Sequence, residues 1–263
     1  MENNINIKKF KKNMFLDYGY SSTSEEKMKL IKANGFDGIF LFADDLFEEN
    51  VKLASKYGLN IETIHLPFQG VCNSVWEEGL DGDNYASLIM NWIDKASNNN
   101  IDKVIFHLSQ SNTPPQMTEL GFVRIKKILE HAKDKKVFVA FENLRNLEYL
   151  EATMDRFGLE DNAICCFDVG HASCFSKNIK TYDFPRYKGL IKCLHIHDNH
   201  GERDEHLLPF EGSIDYEEVF TKLKKIGYDG ELTLEVIGKH STYTEEEYVK
   251  KAKEALDKIE TYL

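Results

Sequence analysis

Eight short apolar runs recur along the chain, and they constrain the fold more than any other feature. They are Asn13–Leu16, Phe36–Phe42, Asn60–His65, Lys103–Leu108, Val137–Glu142, Ile164–Val169, Ile191–Ile196 and Glu231–Val236. Most are continuously apolar, as strands are when both faces of a parallel sheet are covered. Amphipathic windows fill the intervals. Tyr85, Leu88, Ile89, Trp92, Ile93 and Ala96 share one helical face, as do Tyr248, Ala252, Ala255, Ile259 and Tyr262. Ser22 with Glu25, Asp215 with Glu218 and Thr244 with Glu247 read as helix N-caps with a reciprocal acid. Gly35, Gly58, Gly158 and Gly227 sit where a left-handed C-cap belongs. Eight strands alternating with helices, with no linker between them, predict an α/β protein: a single (β/α)8 TIM barrel spanning 1–263. A doubly wound open sheet is the competing arrangement. No G-x-G-x-x-G follows the first strand and no Walker A motif is present, so nucleotide folds lose support.

The ends of the strands carry the chemistry. Run three ends at His65 (ETIHLPF), run four near His107 (VIFHLS) and run five at Glu142 (FVAFENL). Run six ends at Asp168, with His171 three residues on (CCFDVGH). Run seven carries His195 (CLHIHDN), and run eight carries Glu235 (LTLEV). In a barrel these ends converge on one face. A single strand-end histidine is more often a hydrogen-bonded, half-buried residue than a ligand. Glu142 and Glu235 are harder to dismiss, because an unpaired carboxylate at the end of an apolar run costs several kcal/mol. Imidazoles and carboxylates together suit a divalent ion such as Zn or Mn, one to three in number. Asp204 and His206 in GERDEHLLPF can join them from extended backbone. His197 is set outside this group as a supporting residue pointing away from His195, and Asp198 and Asn199 are assigned to orienting His195 or a loop. Trp76 and Phe68 follow run three and either shield a ligand or pack the loop. His131 is expected on a helix surface; His200 and His240 are assigned to loops.

The chain has 33 basic and 44 acidic residues, a net charge of −11, which withholds the broad basic surface that DNA or an anionic membrane attracts. Candidate cations near the strand ends are few: Arg145, Arg203 and Lys239. Five cysteines, with no C-x-x-C, fit a reducing cytoplasm better than a disulfide framework. The polar start MENNINIKKFKK shows no secretory signal, and no apolar run approaches the ~20 residues of a membrane span.

In this order, FEN, FDVGH, HIHDN and DEHLLPFEGSIDY resemble the xylose isomerase-like barrel superfamily, which includes sugar isomerases and epimerases, dehydratases and the endonuclease IV type of abasic-site nuclease. The resemblance implies a divalent metal held by Glu142, Asp168, His195 and Glu235, with the two glutamates moving protons at the substrate carbons. It also implies substrate contacts from His171, with His65 and Trp76 assigned beside it. In the nucleases, positions matching His65, His107, His171, Asp204 and His206 complete a three-zinc cluster, and all are present here. Two segments depart from the nuclease pattern: ENLRNLEYLEA reads as a helix start, and HLPFQG replaces a polar DNA-inserting segment. Phe210 stands where the sugar enzymes usually have Gly. The favoured expectation is therefore a cytoplasmic isomerase or epimerase of a sugar, sugar phosphate or polyol-ketone. The alternatives are an abasic-DNA phosphodiesterase and a dehydratase of a cyclic polyol ketone. A homodimer is left open.

Overall fold

A computed structural model describes residues 10–176 and 182–263. The N-terminal residues read above as lacking a secretory signal lie, up to position 9, outside the described residues. The strands are β1 (Lys12–Phe15), β2 (Gly38–Phe42), β3 (Asn60–His65), β4 (Lys103–Phe106), β5 (Phe138–Glu142), β6 (Ala163–Asp168), β7 (Ile191–His195) and β8 (Leu232–Leu234). Each lies within or overlaps one of the eight apolar runs. All sheet neighbours pair in parallel, in the order β7-β6-β5-β4-β3-β2-β1-β8. A parallel bridge between Ile196 and Leu234 joins the two ends, so the sheet is a closed (β/α)8 barrel.

The helices are α1 (Ser24–Ala33), α2 (Phe47–Tyr57), α3 (Leu80–Asn98), α4 (Glu119–Lys135), α5 (Leu147–Arg156), α6 (Val169–Cys174), α7 (Tyr216–Ile226) and α8 (Glu245–Glu260). Both sides of the strands are buried. Helix faces cover the outside, while Ile105, Ala140, Ile164, Cys166 and Cys193 pack a separate inner layer. Below that layer the interior turns polar, where Asn13, Glu62 and Thr233 bond to one another from three strands. None of the described helices is long and apolar enough to cross a membrane.

The caps correct the sequence reading in two places. Thr244 with Glu247 and Asp215 cap α8 and α7 as expected. Helix α1, however, is capped one residue later, by Thr23 with Glu26. Ser22 instead reaches Glu245, and Glu25 is taken by Lys56 and Tyr57. Gly58 and Gly227 adopt left-handed φ of 62° and 78°. Gly158 does not: its φ of −142° is extended, and Asn162 takes the left-handed position before β6 at 61°. His131 is half-buried on α4, 3.0 Å from Asp94, while His200 and His240 are exposed.

Candidate active site

Strands β3 to β8 each deliver a polar residue, at or just past the strand's end, to the same end of the barrel, because the strands are parallel, while β1 and β2 end in Phe15 and Phe42. Glu142, Asp168, His195 and Glu235, at or just beyond the ends of β5 to β8, offer ligand atoms all within 4.8 Å of one another. All four are buried. His195 Nδ1 lies 3.3 Å from Glu142 and 3.2 Å from Glu235. Among the described residues three further groups share members with this centre: His65, His107 and Glu142; Asp168, His171 and His197; and His197, His206 and Glu235. His65 and His107 converge on Glu142, with His107 Nε2 2.8 Å from its Oε2. On the other side, His171 Nδ1 is 3.2 Å from Glu142, while its Nε2 is 3.2 Å from Asp204. His206 faces the same Asp204 carboxylate at 3.3 Å. Thus nine residues singled out from the sequence form one continuous cluster.

Short polar clasps hold the ligand-bearing ends. Asn143 and Asp168 exchange two hydrogen bonds, Asn143 Nδ2 to the Asp168 carbonyl at 2.8 Å and Asp168 N to Asn143 Oδ1 at 2.7 Å. Asp168 also caps α6 by accepting the His171 N–H at 2.6 Å, so the Asp-x-x-His spacing follows from helix initiation. His206 Nδ1 donates to the Glu235 carbonyl at 2.7 Å, which turns Nε2 toward Asp204.

The electrostatics ask for positive charge. At an effective dielectric of 20, two carboxylates 4.8 Å apart repel by about 3 kcal/mol. Burial pushes the Glu142 carboxyl up, yet His195 and His107 more than offset it and hold it well below the usual carboxylate range. Burial likewise opposes charge on His195 and His171. Glu235 and Glu142 raise the first, and Asp168 and Asp204 raise the second, well above an ordinary imidazole. His206 is pushed up to about 9, with the Asp204 hydrogen bond overcoming its burial. Burial keeps His107 lower than usual. Protonated imidazoles therefore meet the charge of the carboxylates, and a divalent cation can fill the same role. The donor set, borderline imidazole with hard carboxylate, fits such an ion.

Two placements differ from the sequence reading. His197 does not turn away: its Nε2 is 3.1 Å from Asp168 and its ring stacks on His206 at 4.1 Å. Residues i and i+2 of an extended chain share a face, so His197 follows His195 inward. Gly170 makes room for it, since a Cβ there would stand 1.9 Å from the imidazole. Trp76 lies away from the cluster. It is buried against Phe122 and Tyr149, and its indole N–H donates to the Leu108 carbonyl at 2.6 Å. Phe68 lies over the site instead, 4.2 Å from the His107 ring and 5.0 Å from His65.

Above the cluster opens a cleft of about 710 Å³, walled by Phe15, Phe42, Phe68 and Phe175. Arg145 is the one lysine or arginine among the described residues lining it, and its guanidinium lies 4.0 Å over the Phe175 ring. Arg145 is one of the strand-end cations and Phe68 one of the two shielding aromatics singled out from the sequence; Phe15, Phe42 and Phe175 were not assigned, because nothing in the runs shows which of these residues face inward.

Comparison with known proteins follows the same lines. The family model for the xylose isomerase-like TIM barrel matches residues 28–259. A D-tagatose 3-epimerase-like protein superposes with a TM-score of 0.74 at 24% identity, covering 95% of this chain and 97% of that one. D-psicose 3-epimerase from Clostridium cellulolyticum H10 gives 0.77 at 14% identity, covering 96% and 99%. A 3-keto-D-glucoside 4-epimerase from E. coli gives 0.71 at 16%, covering 96% and 100%. At these identities the likeness is one of fold. An uncharacterized protein of Methanocaldococcus jannaschii is 32% identical over 133 residues, 48% of this chain and less than half (45%) of that relative's own length.

Proposed function

Because the chain belongs to the xylose isomerase-like TIM barrel family, we propose that it is a divalent-metal-dependent isomerase or epimerase of a sugar, sugar phosphate or related polyol-ketone. One observation carries this reading: Glu142 and Glu235 approach His195 Nδ1 at 3.3 and 3.2 Å within one buried cluster on the floor of an open cleft. Glu142, Asp168, His195 and Glu235 would hold the ion, Zn or Mn by donor type. It would supply the positive charge that a negative oxygen needs as a proton leaves the neighbouring carbon.

The chain's own residues do the rest. One glutamate carboxylate takes the proton from the carbon beside the carbonyl, and the other returns a proton to the resulting enediolate. A well-placed base of this kind contributes typically ~10²–10⁴-fold. His171 contacts a substrate hydroxyl. Phe15, Phe42 and Phe68 cover the C–H faces of a polyol and keep water from the exposed carbanion. The 3-epimerases among the structurally similar proteins support this reaction class. The cysteines are unpaired, which suits a reducing compartment, and we place the protein in the cytoplasm.

Incubation of metal-loaded protein with a ketose panel in D2O tests the reading. Deuterium should appear at the epimerised carbon, and Glu142→Gln should stop the exchange. Conversion without solvent deuterium refutes it, and a product lighter by one water indicates a dehydratase. A second reading has its own support. His65 and His107 on one side, and His171, Asp204 and His206 on the other, could widen the site to several ions, as a zinc phosphodiesterase of abasic DNA requires. With Arg145 as the single lysine or arginine on the described cleft walls, a phosphate backbone finds little to bind. Nicking of abasic duplex DNA in zinc would favour that reading.

A further inference from the structure

The residues from Ile196 to Asp215 connect β7 to α7 and carry Asp204 and His206. Connections this long need internal ties to hold one shape. Here the ties meet at one side chain. Asp198 is fully buried, and its carboxylate accepts from the backbone N–H of Asn199 at 2.8 Å, Phe210 at 2.9 Å and Ile214 at 3.2 Å. The Gly212 N–H bonds the same carboxylate. Its backbone pairs with Leu207 in an antiparallel bridge, N to O at 2.9 Å and O from N at 3.0 Å. Asp198 thus grips both the outgoing and the returning limb, and the excursion between them is the segment that presents Asp204 and His206.

That segment is held in shapes that would not persist unaided. His206 has φ of +50° and Phe210 +74°, both in the left-handed region that disfavours side chains. The bond from Phe210 N to Asp198 fixes the second. The Leu207 bridge, one residue from His206, fixes the first. Gly212 completes the arrangement: a Cβ there would stand 2.4 Å from Asp198 Oδ1 and from the Asn199 carbonyl. The neighbouring Asn199 ties the loop to the His171 side, donating from Nδ2 to the Gly170 carbonyl at 2.9 Å.

We propose that Asp198 is a positioning residue that, without reaching the cluster, sets Asp204 and His206 opposite His171 and so governs how tightly that half of the site holds a divalent ion. The inference rests on the reading of Asp204 and His206 as ligands. It predicts that the loop's hydrogen-bond hub, and not the ligands alone, determines the number of ions bound.

Cobalt(II) titration tests it, with the visible spectrum and native mass spectrometry reporting affinity and ion count. Asp198→Asn keeps the shape but turns an amide NH2 toward N–H donors. Gly212→Ala attacks the same contact from the opposite limb, should the first variant fold poorly. Either should weaken the ion dependent on Asp204 and His206 at least tenfold while the ion at Glu142, Asp168, His195 and Glu235 binds as before. In a His206→Ala background, Asp198→Asn should add nothing further, because both changes act through one ligand set. Unchanged cobalt affinity in both Asp198→Asn and Gly212→Ala, or equal loss of every ion, overturns the inference alone. If His206→Ala leaves cobalt binding intact, the ligand reading itself falls and takes the inference with it.

Discussion

Glu62 offers a quantitative check on the barrel interior that supports the site. It is fully enclosed beneath the acidic cluster, where Asn13 Nδ2 reaches it at 3.2 Å and Thr233 donates its hydroxyl. Burial pushes its carboxyl up to about 7 from 4.5, with Lys103 only partly opposing. The folded protein therefore binds a proton at Glu62 more tightly than the unfolded chain does. The resulting stability is fully present below pH 4.5 and is lost as pH rises through about 7. A gap of about 2.5 units corresponds to roughly 3 kcal/mol. Glu62→Gln keeps a neutral hydrogen-bonding group and cannot titrate. Urea unfolding of both proteins from about pH 4 to pH 8 should give curves that separate progressively, with the variant gaining on wild type toward alkaline pH by an amount of that order. Parallel stability–pH profiles would refute the argument.

Other expectations follow from the packing. Gly170→Ala should displace His197 from Asp168, costing about 1–3 kcal/mol of overpacking and weakening ion binding. Retention of wild-type melting and ion affinity would contradict it. Trp76→Phe should lose the bond to the Leu108 carbonyl, lowering stability by about 1 kcal/mol in chemical denaturation, with KM unchanged. A raised KM at unchanged stability would return Trp76 to the substrate.

Much of this was legible because parallel strands are buried on both sides. Continuous apolar runs such as Ile164–Val169 mark β6 directly, and a polar residue closing such a run stands out. The same logic exposed Glu142, Asp168 and Glu235. Asn13, Glu62 and Thr233 escaped notice, since polar residues within a strand read as blemishes until the barrel brings them together from three strands. His197 was misplaced through its strand direction, although its two-residue spacing from His195 already put both on one face. Trp76, assigned beside the substrate, packs against Phe122 and Tyr149 instead, because a loop aromatic carries no period that shows which way it faces. The work of Asp198 depends on backbone N–H groups up to sixteen residues away, which side-chain chemistry does not announce.

Counting the ions tests the central claim most directly. Wild type and Asp168→Asn are stripped with a chelator, dialysed against micromolar zinc and manganese, and analysed by plasma mass spectrometry. The account predicts at least one tightly held ion per wild-type chain and one fewer in the variant. A wild-type protein that remains free of metal, or a variant that retains the full count, would contradict it.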